Sequence, residues 1–203
     1  MTTALSAPLK LDDETQDLLF RAARTASEFA DEPVAEETVR AVYDLVKYGP
    51  TEFNSTPLRI VLIRSEEARA RLLPCMVDAN RDKTGRAPLV AVLAADIDFH
   101  EELPRLFPFF PQAKDVFYGD VAVRDHSAKL NAGLQIAYFI IGLRAAGLDV
   151  GPMSGFDAEA MDREFFPDGA HKSLVVLNIG KPSGEAGHPR LPRLEYDEVV
   201  TSV

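Results

Sequence analysis

The sequence predicts a β-sheet covered by helices on both faces. Two runs of almost uninterrupted apolar residues, LVAVLAA at 89–95 and SLVVLNI at 173–179, have the length and β-branched content of strands. A strand with one face in water alternates apolar and polar side chains, so such runs indicate strands covered on both faces. Between them, residues 126–146 form a long apolar helical pattern that ends at Gly147. We therefore expect the two strands at the centre of a sheet that is packed between helices.

Four further elements are predicted earlier in the chain. The segment DDETQDLLFRAART at 12–25 opens with acidic residues that suit a helix N-terminus. Residues 35–47 space apolar side chains at i, i+3, i+4 and i+7 and stop before Gly49, which predicts a second helix. Residues 58–64 (LRIVLIR) predict a strand, and residues 65–73 predict a helix capped by its first serine.

The remaining stretches have weaker patterns. Residues 96–125 lack a clear period and combine prolines with aromatic side chains. Long irregular segments are often lids or binding loops, and a structural loop packed by its own rings fits equally well. The tail at 188–203 predicts an extended arm followed by a short helix or turn. With no internal repeat or flexible linker, we expect one domain over residues 1–203.

The charge balance argues against some classes of partner. The chain carries 32 acidic and 22 basic side chains, a formal net charge of −10. Such a chain is poorly attracted to nucleic-acid phosphates or to anionic lipid surfaces, so we expect neither as a partner. An anionic cofactor would have to be held by a few locally placed arginines or lysines.

Compartment signals favour a cytoplasmic protein. Cys75 is the one cysteine of the chain, so an internal disulfide cannot form, and we expect an ordinary, partly buried thiol. The N-terminal residues lack the basic and then apolar pattern of a signal peptide. The most apolar run, at 133–143, is shorter than the roughly 20 residues that a membrane span needs.

Common catalytic motifs do not fit the chain. GxGxxG, P-loop and GxSxG patterns do not occur, and Ser154 in GPMSG has the wrong spacing for a hydrolase nucleophile. Asp96, Asp98 and His100 form a poor metal signature, so we expect no metal site. Three isolated histidines are expected to be solvated or at helix ends: His126, His171 and His188.

The long apolar helix favours a homodimer. Its middle is apolar almost all round, so it must be buried on every side. In a chain of this size the simplest cover is the same helix of a second copy, although a core helix of a monomer remains the alternative. Small residues on the helix would let two backbones approach closely: Ala132, Gly133, Ala137 and Gly142.

Separated stretches together resemble the nitroreductase family. They are RTASEFADEPV from residue 24, GPTEFNSTP from 49, NRDK from 80, GLDVGPMSG from 147 and RLPR from 190. The strings KYGPTEFN, GLDVGPMSGFD and PRLPRL are most similar to the malonic semialdehyde reductase branch of that family. Together these stretches extend over nearly the whole chain.

The resemblance implies a fold and an activity. The family has an α+β fold, in which a central mixed or antiparallel sheet is flanked by helices, and forms an intertwined homodimer with FMN bound noncovalently between the subunits. Hydride passes from NADH or NADPH through flavin N5 to an acceptor, so no protein nucleophile is needed. The branch implies reduction of malonic semialdehyde to 3-hydroxypropionate. The alternatives are a general nitroaromatic or quinone reductase, or a non-catalytic flavin-binding protein.

By resemblance, four residues would hold the FMN phosphate. They are Arg24, Thr25 and Arg193, with Arg190 as a helper. Forked, charged guanidinium donors suit a phosphate better than neutral donors do. Where many family members have a second arginine, this chain has Ser27, which places more of the expected phosphate affinity on Arg193.

Other matched positions would contact the flavin itself. Thr51 and Asn54 match positions that touch the flavin or its phosphate, while Asn80 and Lys83 match those at the pyrimidine edge of the ring. An ammonium beside N1 and O2 would stabilise the negative charge that accumulates there on reduction.

The GPMSG stretch would contact the reactive atom. In the family, backbone N–H groups at positions matching Ser154 and Gly155 donate to flavin N5, in a turn that here also contains Pro152 and Met153. Glycine permits the close approach that this contact needs. A plain helix C-cap followed by a loop is the alternative interpretation of this stretch.

Overall fold

The computed structural model describes residues 9–184 and 189–203. The start of the chain, where we expect no signal peptide, and His188 lie outside the described residues. Among the described helices, none combines the length and apolar character that a membrane span requires.

The core is an antiparallel sheet whose strand order is β1-β2-β4-β3. The runs at 89–95 and 173–179 occupy its two central positions, which confirms the prediction from their continuous apolar character. The strand bounds are β1 Leu58–Ile63, β2 Leu89–Asp96, β3 Asp149–Met153 and β4 His171–Gly180.

Strand β2 is buried along its whole length because both faces of the sheet are covered. Leu89 and Leu93 point into a core cluster shared with the long helix. Val90 and Val92 point into a second cluster on the opposite face. The predicted α+β sandwich of helix, sheet and helix is therefore confirmed.

Helices surround the sheet and fill the connections. A π-helical turn at Asp17–Arg21 continues the first helix, and short 3₁₀ turns occur at Glu52–Asn54, Leu73–Cys75 and Phe99–Glu102. The α-helices of the described residues are α1 Asp13–Gln16, α2 Glu36–Val46, α3 Glu66–Leu72, α4 Asp78–Arg86, α5 Leu103–Leu106, α6 Ala113–Tyr118, α7 Val121–Ala145, α8 Ala158–Phe165 and α9 Tyr196–Val199.

Two parts of the sequence interpretation need correction. Pro152 and Met153 lie in strand β3, where we expected a turn. A proline is tolerated there because β3 is an edge strand. Residues 96–125 are also not an irregular loop, since they contain α5, α6 and the start of α7, whose N-terminal N–H groups are capped by Asp120.

The long helix α7 is only partly as expected. Gly142 packs inside the chain, since a Cβ there would lie 2.4 Å from Cγ1 of Val46 in α2. Ala132 is likewise fully buried, so these two residues do not lie on an outer face, contrary to prediction. A different face is open: Leu130 is 56% exposed, Leu134 is 41% exposed, and Gly133 has open space beside it. In a single copy, α7 is therefore not buried on every side.

The close contact at Gly151 gives a stability prediction. Gly151→Ala should lower the free energy of unfolding by about 1–3 kcal/mol, because steric overpacking in a tight site destabilises by this amount. The added Cβ would lie 2.4 Å from the backbone oxygen of Ala26.

Urea unfolding of Gly151→Ala should be compared with that of a matched variant, Gly85→Ala. The new Cβ at Gly85 in α4 would meet the Leu73 side chain at an ordinary 3.7 Å. This control should be stabilised by up to about 1 kcal/mol, since alanine is the better helix former. Equal stability of Gly151→Ala and the wild-type protein would contradict the proposed clash.

Candidate functional site

Four arginines surround one surface cavity of about 490 Å³, hereafter the arginine pocket. The cavity lies beside the end of the first helical segment, at residues 20–25, and beneath the C-terminal arm at 189–193. It brings together residues that sequence analysis predicted, Arg24, Thr25, Arg190 and Arg193, and one that it missed, Arg144 at the end of α7.

Two arginines of the pocket, Arg24 and Arg190, converge on the backbone carbonyls of one turn. Arg24 Nη1 donates to the carbonyls of residues 21–23 at 2.8–3.0 Å. Arg190 Nη2 donates to carbonyls of the same turn, including those of Phe20 and Ala23 at 3.0 Å. The end of a helical segment carries partial negative charge and unpaired C=O groups, so cations are stabilised there. The arm is thereby fastened to the first helical segment.

The electrostatics of the pocket favour an anion. Desolvation and then the neighbouring charges of Arg24 and Arg193 lower the pKa of Arg190 below its usual range. Desolvation also lowers the pKa of Arg144; the charge of Asp149 partly offsets this, and the charge of Arg190 adds to the lowering. Among the described residues, none of the four guanidinium groups forms a salt bridge. A phosphate dianion would offset this concentration of charge.

A second group of predicted residues meets where α4 approaches the end of β3. Asn80 Nδ2 donates to the Gly155 carbonyl at 3.0 Å, and the Val77 N–H donates to the same oxygen at 3.2 Å. A Cβ on Gly155 would lie 2.7 Å from Asn80 Nδ2, so a larger residue there would displace the Asn80 amide from this contact. One turn further along α4, Thr84 Oγ1 contacts Met153 Sδ at 3.8 Å.

This α4–β3 group presents unused donors. Lys83 is half-buried and forms no salt bridge within the described parts of the chain. The backbone N–H groups of Ser154 and Gly155 donate to no other group in those same parts. A cation and two amides without protein acceptors fit a ligand that accepts hydrogen bonds and gains negative charge.

Thr51 and Asn54 lie in a different place. Thr51 Oγ1 donates to the Ser55 carbonyl at 2.7 Å, and Asn54 Nδ2 donates to the Leu106 carbonyl at 2.9 Å. Neither residue lines the arginine pocket. Thr51 instead borders a groove of about 810 Å³ along the exposed face of α7, together with Leu130. One copy of the chain therefore does not bring these two residues to the arginines.

The Thr51–Asn54 loop is held in an unusual backbone conformation. Phe53 and Asn54 have φ values of 51° and 54°, the left-handed region that non-glycine residues rarely adopt. The Glu52 carboxylate accepts from Ser127 Oγ at 2.6 Å, and the Glu52 N–H donates to Asn131 Oδ1 at 2.8 Å. This network fastens the loop to α7 and stabilises its strained turn.

The network was missed by sequence analysis, although α7 carried a signal for it. Ser127 and Asn131 are polar residues four positions apart in a largely apolar helix, and both are buried. A buried polar side chain needs a hydrogen-bond partner, which here is Glu52. Tyr118 lies beside the same network, and its pKa is raised to about 12, first by desolvation.

Aromatic rings cover the outer side of this loop. The Phe53 ring lies 5.4 Å from that of Phe107 and 5.2 Å from that of Phe117, measured between centroids. Both partner rings come from the proline-rich stretch at 96–125. That stretch is therefore packed by its own aromatics against the loop.

The weaker candidates from the sequence have ordinary partners. Asp96 pairs with Arg59, and His171 Nδ1 lies 2.9 Å from an Asp168 oxygen. Cys75 is more buried than expected, at 7% exposure, and burial raises the pKa of its thiol. The described residues contain no group of three or more His, Cys, Asp or Glu side chains that could hold a metal ion.

Comparison with known proteins gives the family. The nitroreductase family matches residues 20–181. A proposed NADH dehydrogenase/NAD(P)H nitroreductase of Streptomyces griseus is 60% identical over 195 residues, which cover 96% of this chain and 99% of that protein. The chain belongs to the nitroreductase family, as its motifs predicted.

Solved structures agree on the fold. A proposed nitroreductase from Bacillus subtilis matches with a TM-score of 0.85 and 24% identity, and the match covers 94% of this chain and 99% of that one. A proposed nitroreductase from Exiguobacterium sibiricum, solved in complex with FMN, matches with a TM-score of 0.82 and 20% identity over 92% of this chain and 96% of that one. The nitroreductase-like fold expected from the sequence is confirmed.

Proposed function

We propose that two copies of this chain hold FMN between them and use NADH or NADPH to reduce a small acceptor in the cytoplasm. The FMN-dependent oxidoreductase class follows from membership of the nitroreductase family. The finer assignment of residues, partner and acceptor is our proposal. The observation that carries it is the arginine pocket, in which four guanidinium groups share one cavity without a carboxylate partner among the described residues.

The donor sets fit FMN. The arginine pocket suits the 5′-phosphate, because forked cationic donors match phosphate oxygens. The α4–β3 group suits the ring, because the Ser154 and Gly155 amides are free to donate and Lys83 lacks a counter-ion within the described chain. When bound, FMN supplies hydride transfer at N5, while the residues around it bind, orient and polarise.

A second copy would complete the site. The exposed apolar face of α7, which includes Leu130 and Leu134, lies beside the groove bordered by Thr51. Packing this face against its copy would remove large apolar side chains from water. We propose that Thr51 and Asn54 then contribute from the partner subunit, since within one copy neither lines the arginine pocket.

We propose malonic semialdehyde as the acceptor, reduced to 3-hydroxypropionate. Support comes from the strings KYGPTEFN, GLDVGPMSGFD and PRLPRL, which resemble that branch of the family. A specific observation favours a quinone or nitroaromatic as second candidate. The ring cluster of Phe53, Phe107 and Phe117 offers flat apolar surface on which a planar acceptor could stack.

Anaerobic turnover tests the acceptor. With FMN and NAD(P)H supplied, kcat/KM should be at least about tenfold higher for malonic semialdehyde than for a quinone or a nitroaromatic, which is a difference of about 1.4 kcal/mol in transition-state binding. The opposite order would assign the chain to general quinone or nitroaromatic reduction. An FMN-loaded protein that shows no steady-state oxidation of NAD(P)H with any of these acceptors would be a flavin-binding protein rather than an enzyme.

Replacement of Lys83 should impair flavin reduction, whereas replacement of Arg193 should impair FMN binding. Lys83→Met should retain FMN, lower its midpoint potential and slow its reduction by NAD(P)H, because an ammonium beside the ring would be lost. Arg193→Ala should instead weaken FMN binding by roughly ten- to a hundredfold, with rescue by excess FMN. FMN titration and anaerobic reduction of each variant measure both effects. Wild-type potential and reduction rate in Lys83→Met would show that Lys83 does not face the ring.

A further inference from the structure

Arg144 differs from the other arginines of the pocket in the structural element to which it belongs. It lies in the last turn of α7, a 25-residue helix whose inner face is packed in the core. Its side chain is half-buried, whereas Arg190 and Arg193 belong to an exposed arm. Arg144 thus lines the cavity from a long, packed helix, while Arg190 and Arg193 line it from the C-terminal arm.

A purely structural role does not account for the whole side chain. One nitrogen, Nη1, donates to the Leu19 carbonyl at 2.9 Å, which satisfies one C=O of the first helical segment. A guanidinium has five N–H donors, and within residues 9–184 and 189–203 the other four donate to no protein acceptor. The negative charge of Asp149 raises the pKa of Arg144, yet the two side chains form no salt bridge.

Desolvation and a neighbouring cation oppose the charge of Arg144. Desolvation lowers its pKa first, the charge of Asp149 partly offsets this, and the like charge of Arg190 adds to the lowering. Arg190 in turn is repelled by Arg24 and Arg193. Four cations that repel one another around a single cavity are stabilised together by one multivalent anion.

We propose that Arg144 is a phosphate-binding residue of the FMN site, which sequence motifs did not assign. The proposal rests on the FMN site described above and adds to it a phosphate ligand from the helix core. A donor fixed on a packed helix loses less conformational entropy on binding than a donor on an exposed arm. Arg144 therefore supplies a preorganised donor of the phosphate site, beside Arg190 and Arg193 of the arm.

The test compares two ligands that differ only in the phosphate, FMN and riboflavin. Each is titrated into the apoprotein of the wild type and of Arg144→Gln, with flavin fluorescence as the readout. Glutamine is chosen because it keeps a polar side chain with an aliphatic stem and removes the charge and the fork of the guanidinium. The control is Arg163→Ala in α8, an exposed arginine whose carboxylate partner lies 3.7 Å away and which does not line the pocket.

Arg144→Gln should bind FMN about ten- to a hundredfold more weakly than the wild type, since a charge-assisted contact to the phosphate alone is lost. Its affinity for riboflavin should stay within about twofold of the wild type. Arg144→Lys keeps a charge without the forked donors, so its FMN affinity should lie between those of the wild type and Arg144→Gln. Arg163→Ala should match the wild type with both ligands.

Two results would overturn the inference. An equal loss of FMN and riboflavin affinity would show that Arg144 only supports the fold, and unchanged FMN affinity would show that it does not reach the phosphate. A wild-type protein that binds FMN no more tightly than riboflavin is a different outcome. It would remove the phosphate role from the whole arginine pocket and so contradict the proposed function itself.

Discussion

Burial of β2 and β4 on both faces is the constraint on which the rest of the structure depends. Each of these strands points alternate side chains into two separate core clusters. Helices must therefore cover both sides of the sheet, and the central strands are mostly apolar, with Ser173 and Asn178 of β4 as buried polar exceptions. The candidate site accordingly lies at the edge of the sheet, where α7 ends and the chain continues through Gly147 into β3. This part of the chain places Arg144 at the arginine pocket and the Ser154 and Gly155 amides beside α4.

The elements that sequence analysis predicted are those whose apolar pattern is strong. The two central strands and α7 were recognised because burial requires nearly continuous apolar side chains. Strand β3 was not, because Gly151 and Pro152 oppose strand formation locally. The tertiary structure explains Gly151, since the Ala26 carbonyl leaves no room for a Cβ. Helix α4, DANRDKTGR, lacks an apolar stripe, so its periodicity gave no signal.

For the site, resemblance supplied what periodicity could not. Arg24 and Arg190 are far apart in the chain, and only matched motifs related them before the structure placed both at one cavity. Arg144 was missed because its place in the pocket depends on which elements pack beside the end of α7. Glu52 was missed for a similar reason, since its partners Ser127 and Asn131 are more than 70 positions away. Long-range polar contacts of this kind have no local sequence pattern.

In our proposal, the separation of Thr51 and Asn54 from the arginine pocket within one copy connects flavin binding to assembly. Sedimentation velocity of the FMN-loaded protein, followed at the visible absorbance of the flavin, tests that connection most directly. Our account predicts that the flavin absorbance moves as one boundary at the mass of two chains, at micromolar protein concentration. A site shared between two copies would be contradicted if the flavin absorbance moves at the mass of a single chain. It would also be contradicted if the added FMN stays unbound.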